Sequence, residues 1–205
     1  MMKKLEYSNK DARVLGEETV FEGFFKMKRF QVQYKLFNGG LSRVVNREMF
    51  ERGHAIAVLP YDPITREFVL IEQFRLGAMA TSDSPWLIEV IAGMIEEGED
   101  PDEVCHRETL EEAGIELTEL QKVLTYLSSP GGTTERLHIY MAKTDSTSAS
   151  GVHGLDSESE DIMVHRVAES DARDWLDNGR IDNAAAIIAL QWFFLNKNKL
   201  LEAWK

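Results

Sequence analysis

Three glutamates, Glu108, Glu111 and Glu112, are spaced so that one helix would gather their carboxylates. At about 100° per residue, these positions fall within an arc of about 100° on one helical face. Like charges at such spacings repel each other by about 0.2–0.5 kcal/mol per pair, and a divalent cation would convert that cost into binding. Oxygen ligands in this number favour Mg²⁺ or Mn²⁺ over metals that prefer thiolate or imidazole. For these three residues taken alone, a solvated acidic helix face is the alternative.

A wider pattern surrounds the three glutamates. Gly93 is followed after five residues by Glu99, and Glu99 is followed after seven residues by Arg107. From Arg107 the sequence reads Arg-Glu-Thr-Leu-Glu-Glu-Ala-Gly-Ile. This pattern resembles the Nudix box, and it departs from it where Thr109 replaces the usual aliphatic residue. Thr109 falls on the side of the helix expected to pack on a sheet, so the departure concerns packing more than chemistry.

The resemblance implies a role for each residue of the box. The positions that bind divalent metal in Nudix enzymes are those of Glu108, Glu111, Glu112 and, through its backbone carbonyl, Ala92. The positions that orient the motif, by an ion pair or by permitting a turn, are those of Gly93, Glu99, Arg107 and Gly114. More than one Mg²⁺ per site, with Mn²⁺ as the alternative, would neutralise phosphate oxygens and activate water to cleave a diphosphate.

The elements that must hold this segment are predicted from local patterns. Asp100 is a favourable N-cap, Pro101 suits the first helical position and Glu103 would complete a capping-box-like arrangement. Gly114 is the expected end of the helix. Apolar runs predict strands at 19–25, 29–37, 41–47, 54–61, 67–74, 86–90, 122–127, 137–142 and 163–167. Two closing helices are predicted at about 170–178 and 183–196.

This order of strands, one central helix, further strands and closing helices favours an α+β fold with helices packed on a mixed sheet. The box implies the Nudix-type α/β/α sandwich. Residues 1–50 contain a hairpin of their own around Asn38-Gly39-Gly40. We therefore expect an N-terminal β subdomain at 1–50 and a catalytic domain at 51–205, and the resemblance implies that the N-terminal subdomain forms dimers. The stretch 144–161 lacks periodicity and is expected to be a long functional loop.

Beyond the box, nearly the whole sequence is similar to the bacterial ADP-ribose pyrophosphatases of the Nudix superfamily. The segments that carry this similarity are GFFKM (23–27), REMFERGHA (47–55), LIEQFR (70–75), AGMIEEGE (92–99), SSPGGTTER (128–136), GLDSESED (154–161) and DNAAAIIALQW (182–192). Pro130 lies 16 residues after Gly114, where a proline marks members that act on ADP-ribose. The similarity implies hydrolysis of ADP-ribose to AMP and ribose 5-phosphate.

Four positions acquire substrate-binding roles from this similarity. Phe24 would stack on adenine, although a core phenylalanine in a β run is the alternative. Arg47 and Arg75 would contact the phosphates or sandwich the adenine, although most surface arginines do neither. Glu135 would accept hydrogen bonds from a ribose hydroxyl, and by itself it would be an ordinary loop acid.

The catalytic base is expected outside the box, on the loop 154–161. The similarity implies Glu158 as the base that deprotonates the attacking water, with Glu160 as its helper or as an additional metal contact. Gly151 and Gly154 would let the loop close over the substrate. A disordered acidic loop without a role is the alternative.

Composition narrows the partners and the compartment. The formal net charge of −12 over 205 residues disfavours nucleic-acid binding. No run of about 18 apolar residues predicts a membrane span, and the first residues lack the apolar run of a secretory signal. Cys105 is the sole cysteine, which fits a reducing, cytoplasmic location, and the five histidines do not match a zinc-ligand spacing. Members of the family commonly form homodimers with exchanged N-terminal strands.

Two other functions stay open. The enzyme could prefer another nucleoside diphosphate sugar, such as GDP-mannose or ADP-glucose. The chain could also be a non-catalytic Nudix domain that senses a nucleotide, although such domains tend to lose the acidic residues of the box.

Overall fold

A computed structural model describes residues 7–205, and these residues form two compact units. The first unit contains residues 7–53 together with Leu127–Glu135, and the second contains His54–Tyr126 and Arg136–Lys205. The division into independent domains at residue 50 stays a prediction. The first unit therefore includes the turn around Pro130, which is distant in sequence from the rest of that unit.

The first unit is built on a three-stranded antiparallel sheet. Its strands are β1 (Ala12–Glu22), β2 (Lys26–Tyr34) and β3 (Val45–Glu51), with β2 in the centre. The predicted hairpin around Gly39 and Gly40 is present, and both glycines have positive φ, 87° and 78°. β2 and β3 pair from Val32↔Val45 to Lys26↔Glu51. β3 therefore begins and ends four residues later than the predicted strand at 41–47.

The second unit contains the main sheet. Its strands are β4 (His54–Asp62), β5 (Glu67–Phe74), β6 (Trp86–Glu89), β7 (Ile91–Ile95), β8 (Leu117–Leu127), β9 (Arg136–Thr144), β10 (Gly151–His153) and β11 (Ile162–Ala168). Their order is β10-β11-β5-β4-β9-β8, with β6 paired to β5 and β7 paired to β4. The sheet is mixed, because β4 pairs with β9 in parallel and with β5 antiparallel.

The predicted strand at 86–90 is two strands in the structure. β4 and β5 pair with each other only next to their turn, at Tyr61↔Phe68 and Asp62↔Glu67. Beyond that point β7 pairs with β4 and β6 pairs with β5, so the chain changes partner at Val90. Val90 is buried, and both new strands are continuous with the main sheet. A continuous apolar run in the sequence does not reveal such a change of partner.

Helices cover both faces of the main sheet, which confirms the predicted α/β/α sandwich. The helices are α1 (Pro101–Ala113), α2 (Glu169–Asp177) and α3 (Ala184–Ala203). Successive side chains of β4 point to opposite faces, so Leu59 packs in the cluster that contains Phe193 of α3. Val58 packs in the other cluster, with Val104 of α1. Among residues 7–205, no helix has the length and apolar content needed to cross a bilayer.

The boundaries of α1 are set by local chemistry. The Asp100 carboxylate accepts a hydrogen bond from the backbone N–H of Asp102 at 2.8 Å, and Pro101 occupies the first turn. The bond to Asp102 replaces the capping-box-like arrangement predicted with Glu103. Gly114 ends the helix in the left-handed region at φ 64°, where its N–H bonds to the Leu110 carbonyl. These two ends place the three glutamates in the last turns of α1.

Candidate active site

Glu112 is the most deeply buried acidic residue of the box. Its side chain lies against β7, and one carboxylate oxygen accepts a hydrogen bond from the N–H of Ala92 at 3.1 Å. Glu112 is 2% exposed, so a solvated acidic helix face, the alternative for the three glutamates, does not describe this residue. Burial raises the pKa of Glu112 to about 9, and the charges of Glu108 and Glu160 add to the shift. A buried carboxylate with a raised pKa gains most from a cation placed beside it.

Arg107 neutralises the outer part of the acidic cluster. Its Nη1 lies 2.9 Å from Glu108 Oε1 and 3.1 Å from Glu111 Oε2. Its Nη2 lies 3.6 Å from Glu99 Oε1. Burial raises the pKa of Glu108 to about 7, although the positive charge of Arg107 opposes the shift. One guanidinium therefore connects three acidic side chains of the motif.

Gly93 leaves room for the side chain of Glu108. Gly93 pairs with Ile56 across β7 and β4, and its backbone lies close to the Glu108 side chain of α1. A Cβ at this position would overlap the Glu108 side chain from its Cγ to its carboxylate oxygen. The box glycine is therefore required here for close approach of strand and helix, and not for a positive φ.

Gly93→Ala should lower any turnover that depends on this cluster by roughly 10- to 100-fold, because the added methyl displaces Glu108 and a misplacement of about 1 Å at an active site costs about that much. Overpacking should also lower the free energy of unfolding by about 1–3 kcal/mol. Steady-state kinetics and thermal unfolding measure the two effects. Gly77→Ala is the matched control, since a Cβ there meets no heavy atom within 4 Å. Wild-type turnover in Gly93→Ala would contradict this account of the glycine.

The donor set of this cluster consists of carboxylate and carbonyl oxygens. The three carboxylates of the cluster all come from α1, and the backbone of Ala92 lies beside Glu112. Between residues 7 and 205, no three His, Cys, Asp or Glu side chains already stand together as a metal-ligand group. Glu108 and Glu111 turn to Arg107, and Glu112 turns to the Ala92 N–H. Hard oxygen donors of this kind suit Mg²⁺ or Mn²⁺.

Arg75 is held by hydrogen bonds to Glu89, a residue that the sequence patterns did not indicate. Its Nε and Nη2 donate to Glu89 Oε2 at 3.0 and 2.8 Å, and the Gln73 amide donates to the same oxygen at 3.2 Å. Glu89 ends β6 and Arg75 follows β5, so pairing of these two strands brings them together. The positive charge of Arg75 opposes the rise in the pKa of Glu112. A signal for Glu89 would have required the pairing of β5 with β6, which the sequence alone does not reveal.

The loop that carries Glu158 and Glu160 has more structure than predicted. Within 144–161, two short 3₁₀ turns (Ser146–Ser148 and Asp156–Glu158) flank β10. Glu160 bends back so that its carboxylate accepts from the Leu155 N–H at 3.1 Å, and its charge raises the pKa of both Glu108 and Glu112. The side chain of Glu158 is exposed. The structure thus places Glu160 in the electrostatic field of the box glutamates and leaves Glu158 open to solvent.

The other predicted substrate contacts lie in the first unit. Phe24 is 88% exposed and meets Phe25 edge-on, with ring centroids 4.7 Å apart, so its interpretation as a core residue is wrong. Arg47 Nη1 donates to the Asn46 carbonyl at 3.0 Å. Glu135 is buried, and its Oε1 lies 3.0 Å from Nε of Arg52. Arg52, which no sequence pattern indicated, therefore carries the charge that balances Glu135.

The family of this chain follows from comparison with known proteins. The model of the NUDIX domain matches residues 51–190, which span the sheet, α1 and the acidic cluster. The chain belongs to this family, whose ADP-ribose pyrophosphatases generally depend on divalent metals.

Three bacterial proteins resemble the chain over most of its length. It is 48% identical to the ADP-ribose pyrophosphatase of Escherichia coli (strain K12), over 97% of this chain and 95% of that protein. It is also 48% identical to the ADP-ribose pyrophosphatase of Haemophilus influenzae, over 97% of this chain and 93% of that protein. The GDP-mannose pyrophosphatase of Pectobacterium atrosepticum is 30% identical, over 87% and 91%.

A solved structure supports the fold assignment. The crystal structure of an ADP compounds hydrolase superposes with a TM-score of 0.68 and covers 94% of this chain and 97% of its own. Its sequence identity to this chain is 21%, so this likeness concerns the fold.

Proposed function

We propose that this chain is a metal-dependent ADP-ribose diphosphatase, which hydrolyses ADP-ribose to AMP and ribose 5-phosphate. The observation that carries the proposal is the acidic cluster of Glu108, Glu111 and Glu112, which is intact and lies where β7 passes beneath α1. The 48% identity to proteins named ADP-ribose pyrophosphatase, over 97% of the chain, supports the substrate.

The carboxylates of Glu108, Glu111 and Glu112, with the carbonyl of Ala92, would hold more than one Mg²⁺ ion, or Mn²⁺ as the alternative. When bound, these ions supply neutralisation of the diphosphate oxygens and an activated water. Burial of Glu112 and the raised pKa of Glu108 support this assignment, because a bound cation would offset the cost of burying these two carboxylates. Arg107 and Glu99 orient the cluster, and the guanidinium of Arg107 stabilises the acidic side chains when no metal ion is bound.

Glu158 removes the proton from the attacking water. An exposed carboxylate on a turn that ends in a left-handed residue, Ser159 with φ 57°, is free to move toward a substrate. Glu160 assists it, and its influence on the pKa of Glu112 supports a place at the edge of the cluster. A positioned general base contributes about 10²–10⁴ to the rate.

Four residues bind the substrate in this proposal. Phe24 stacks on adenine, which its 88% exposure supports, since an accessible ring can offer its face to a base. Arg75, oriented by Glu89, and Arg47 contact the phosphates or the base through planar guanidinium groups. Glu135 accepts a hydrogen bond from a ribose hydroxyl.

The chain acts as a homodimer in the cytoplasm. Exposed apolar side chains on β1, including Val14, Leu15 and Phe21, support an interface through the first unit, since a single chain leaves them in water. Cys105 is buried and burial raises its pKa, so the thiol is inert and compatible with a reducing compartment.

A second candidate function is hydrolysis of another nucleoside diphosphate sugar, since proteins named GDP-mannose pyrophosphatase are also similar over most of the chain. The non-catalytic sensor is disfavoured by the intact acidic residues of the box.

A substrate panel tests the proposal. The protein is incubated with Mg²⁺ and ADP-ribose, ADP-glucose or GDP-mannose in ¹⁸O-labelled water, and the products are identified by mass. We expect ADP-ribose to be turned over fastest, into AMP and ribose 5-phosphate with one ¹⁸O in one of them. Faster turnover of GDP-mannose than of ADP-ribose would show that GDP-mannose is the preferred substrate. Binding of ADP-ribose without turnover for hours would favour the non-catalytic sensor.

A further inference from the structure

The imidazole of His153 fills the space beside the glycine that ends α1. A Cβ on Gly114 would lie 2.5 Å from Cε1 and 3.1 Å from Nδ1 of His153, so no side chain fits at Gly114 while the ring is there. The ring is also held by a hydrogen bond, since its Nε2 lies 2.9 Å from the Ser150 carbonyl. A carbonyl oxygen accepts, so Nε2 is the protonated nitrogen that donates.

His153 is also the last paired residue before the loop of Glu158 and Glu160. β10 and β11 pair as Gly151↔Val164, Val152↔Met163 and His153↔Ile162. The loop 154–161 therefore leaves the sheet at His153 and returns to it at Ile162. Because the loop departs from His153, a contact that holds the His153 ring also constrains the start of the loop.

A backbone hydrogen bond joins the same point to the box helix. The N–H of Gly154 donates to the carbonyl of Glu111 at 3.2 Å. Gly154 has φ 105° and packs against Glu160, whose Cβ lies 2.6 Å from the position of a Cβ on Gly154. The end of α1 therefore contacts the start of the loop through two neighbouring residues, His153 by its ring and Gly154 by its backbone.

We propose that His153 is a positioning residue for the reaction, because its ring, held against Gly114, fixes the distance between the loop carboxylates and the glutamates of α1. This inference rests on the proposed function for its catalytic consequence, whereas its structural half stands on the contacts of His153 and Gly154 with the end of α1. Neither ring nitrogen touches the acidic cluster, so His153 acts through Glu158 and Glu160.

Three substitutions separate the two contacts of the ring. His153→Ala removes both, His153→Phe keeps a ring beside Gly114 without the N–H, and His153→Gln keeps an N–H donor without the ring. We expect His153→Ala to lower kcat by about 10- to 100-fold with little change in KM, since a misplaced group loses rate more than binding. His153→Phe should restore most of kcat, and His153→Gln should restore little. His106→Ala, a change of the same type on the exposed side of α1, should behave as wild type.

Hydrogen exchange of the metal-free protein provides a readout that does not need catalysis. We expect the peptide covering 154–161 to exchange faster in His153→Ala than in wild type, and His153→Phe to restore its protection. Unchanged exchange and unchanged kcat in His153→Ala would overturn the proposal, as would an equal loss in His153→Phe and His153→Ala. If wild type fails to cleave ADP-ribose, the proposed function fails, and the exchange result still decides whether His153 holds the loop. If His153→Ala does not fold, His153→Phe and His153→Gln provide the same comparison.

Discussion

Glu112→Gln should lower turnover at least ~10³-fold while the protein stays folded. Charge neutralisation by a metal ion is worth several kcal/mol, and each 1.36 kcal/mol is a factor of ten in rate. Glutamine retains an oxygen that can accept the 3.1 Å hydrogen bond from the Ala92 N–H, and it buries no charge. The substitution therefore removes a ligand without removing the packing. Turnover at saturating Mg²⁺ and thermal unfolding without metal are the two measurements.

Glu103→Gln is the matched control for Glu112→Gln. Glu103 lies in the first turn of the same helix and is exposed, so its loss should leave turnover unchanged. Two results would count against the metal-binding role. One is a Glu112→Gln enzyme with more than a tenth of wild-type turnover. The other is a loss of turnover that accompanies unfolding, which would make the role structural.

Glu158→Gln should lower kcat by about 10²–10⁴ and leave KM nearly unchanged, because a base acts in the transition state and not in substrate binding. Glu158 is exposed on the loop, so stability should not change. Initial rates over a range of ADP-ribose concentrations, at fixed Mg²⁺, separate the two parameters.

Asp156→Asn is the corresponding control, since Asp156 begins the same 3₁₀ turn and is also exposed. A loop that merely needed acidic charge would respond to both substitutions alike. If Glu158→Gln raised KM as much as it lowered kcat, Glu158 would belong to substrate binding. If Glu160→Gln alone abolished turnover, the base would be Glu160, which already lies in the electrostatic field of the cluster.

Local rules predicted the two ends of α1 well, but they did not predict that Glu112 is buried. Asp100, Pro101 and Gly114 act within one turn of the helix, and their chemistry is independent of the rest of the chain. The main strands were predicted for a similar reason, because a run such as that of β4 is apolar wherever both faces are covered. The division at 86–95 was missed, because a change of strand partner leaves no mark in an apolar run.

Because helical geometry and residue chemistry are local, the helix, the spacing of its carboxylates and hence the family could be predicted from the sequence. The burial, the pKa values and the neighbouring contacts of those carboxylates depend on the tertiary structure. Packing of α1 on β7 buried Glu112 and raised its pKa, pairing of β5 with β6 gave Arg75 its partner Glu89, and the return of the chain at β10 placed His153 beside Gly114. Each of these contacts joins residues far apart in the chain, and long-range packing of this kind is not encoded in any short pattern.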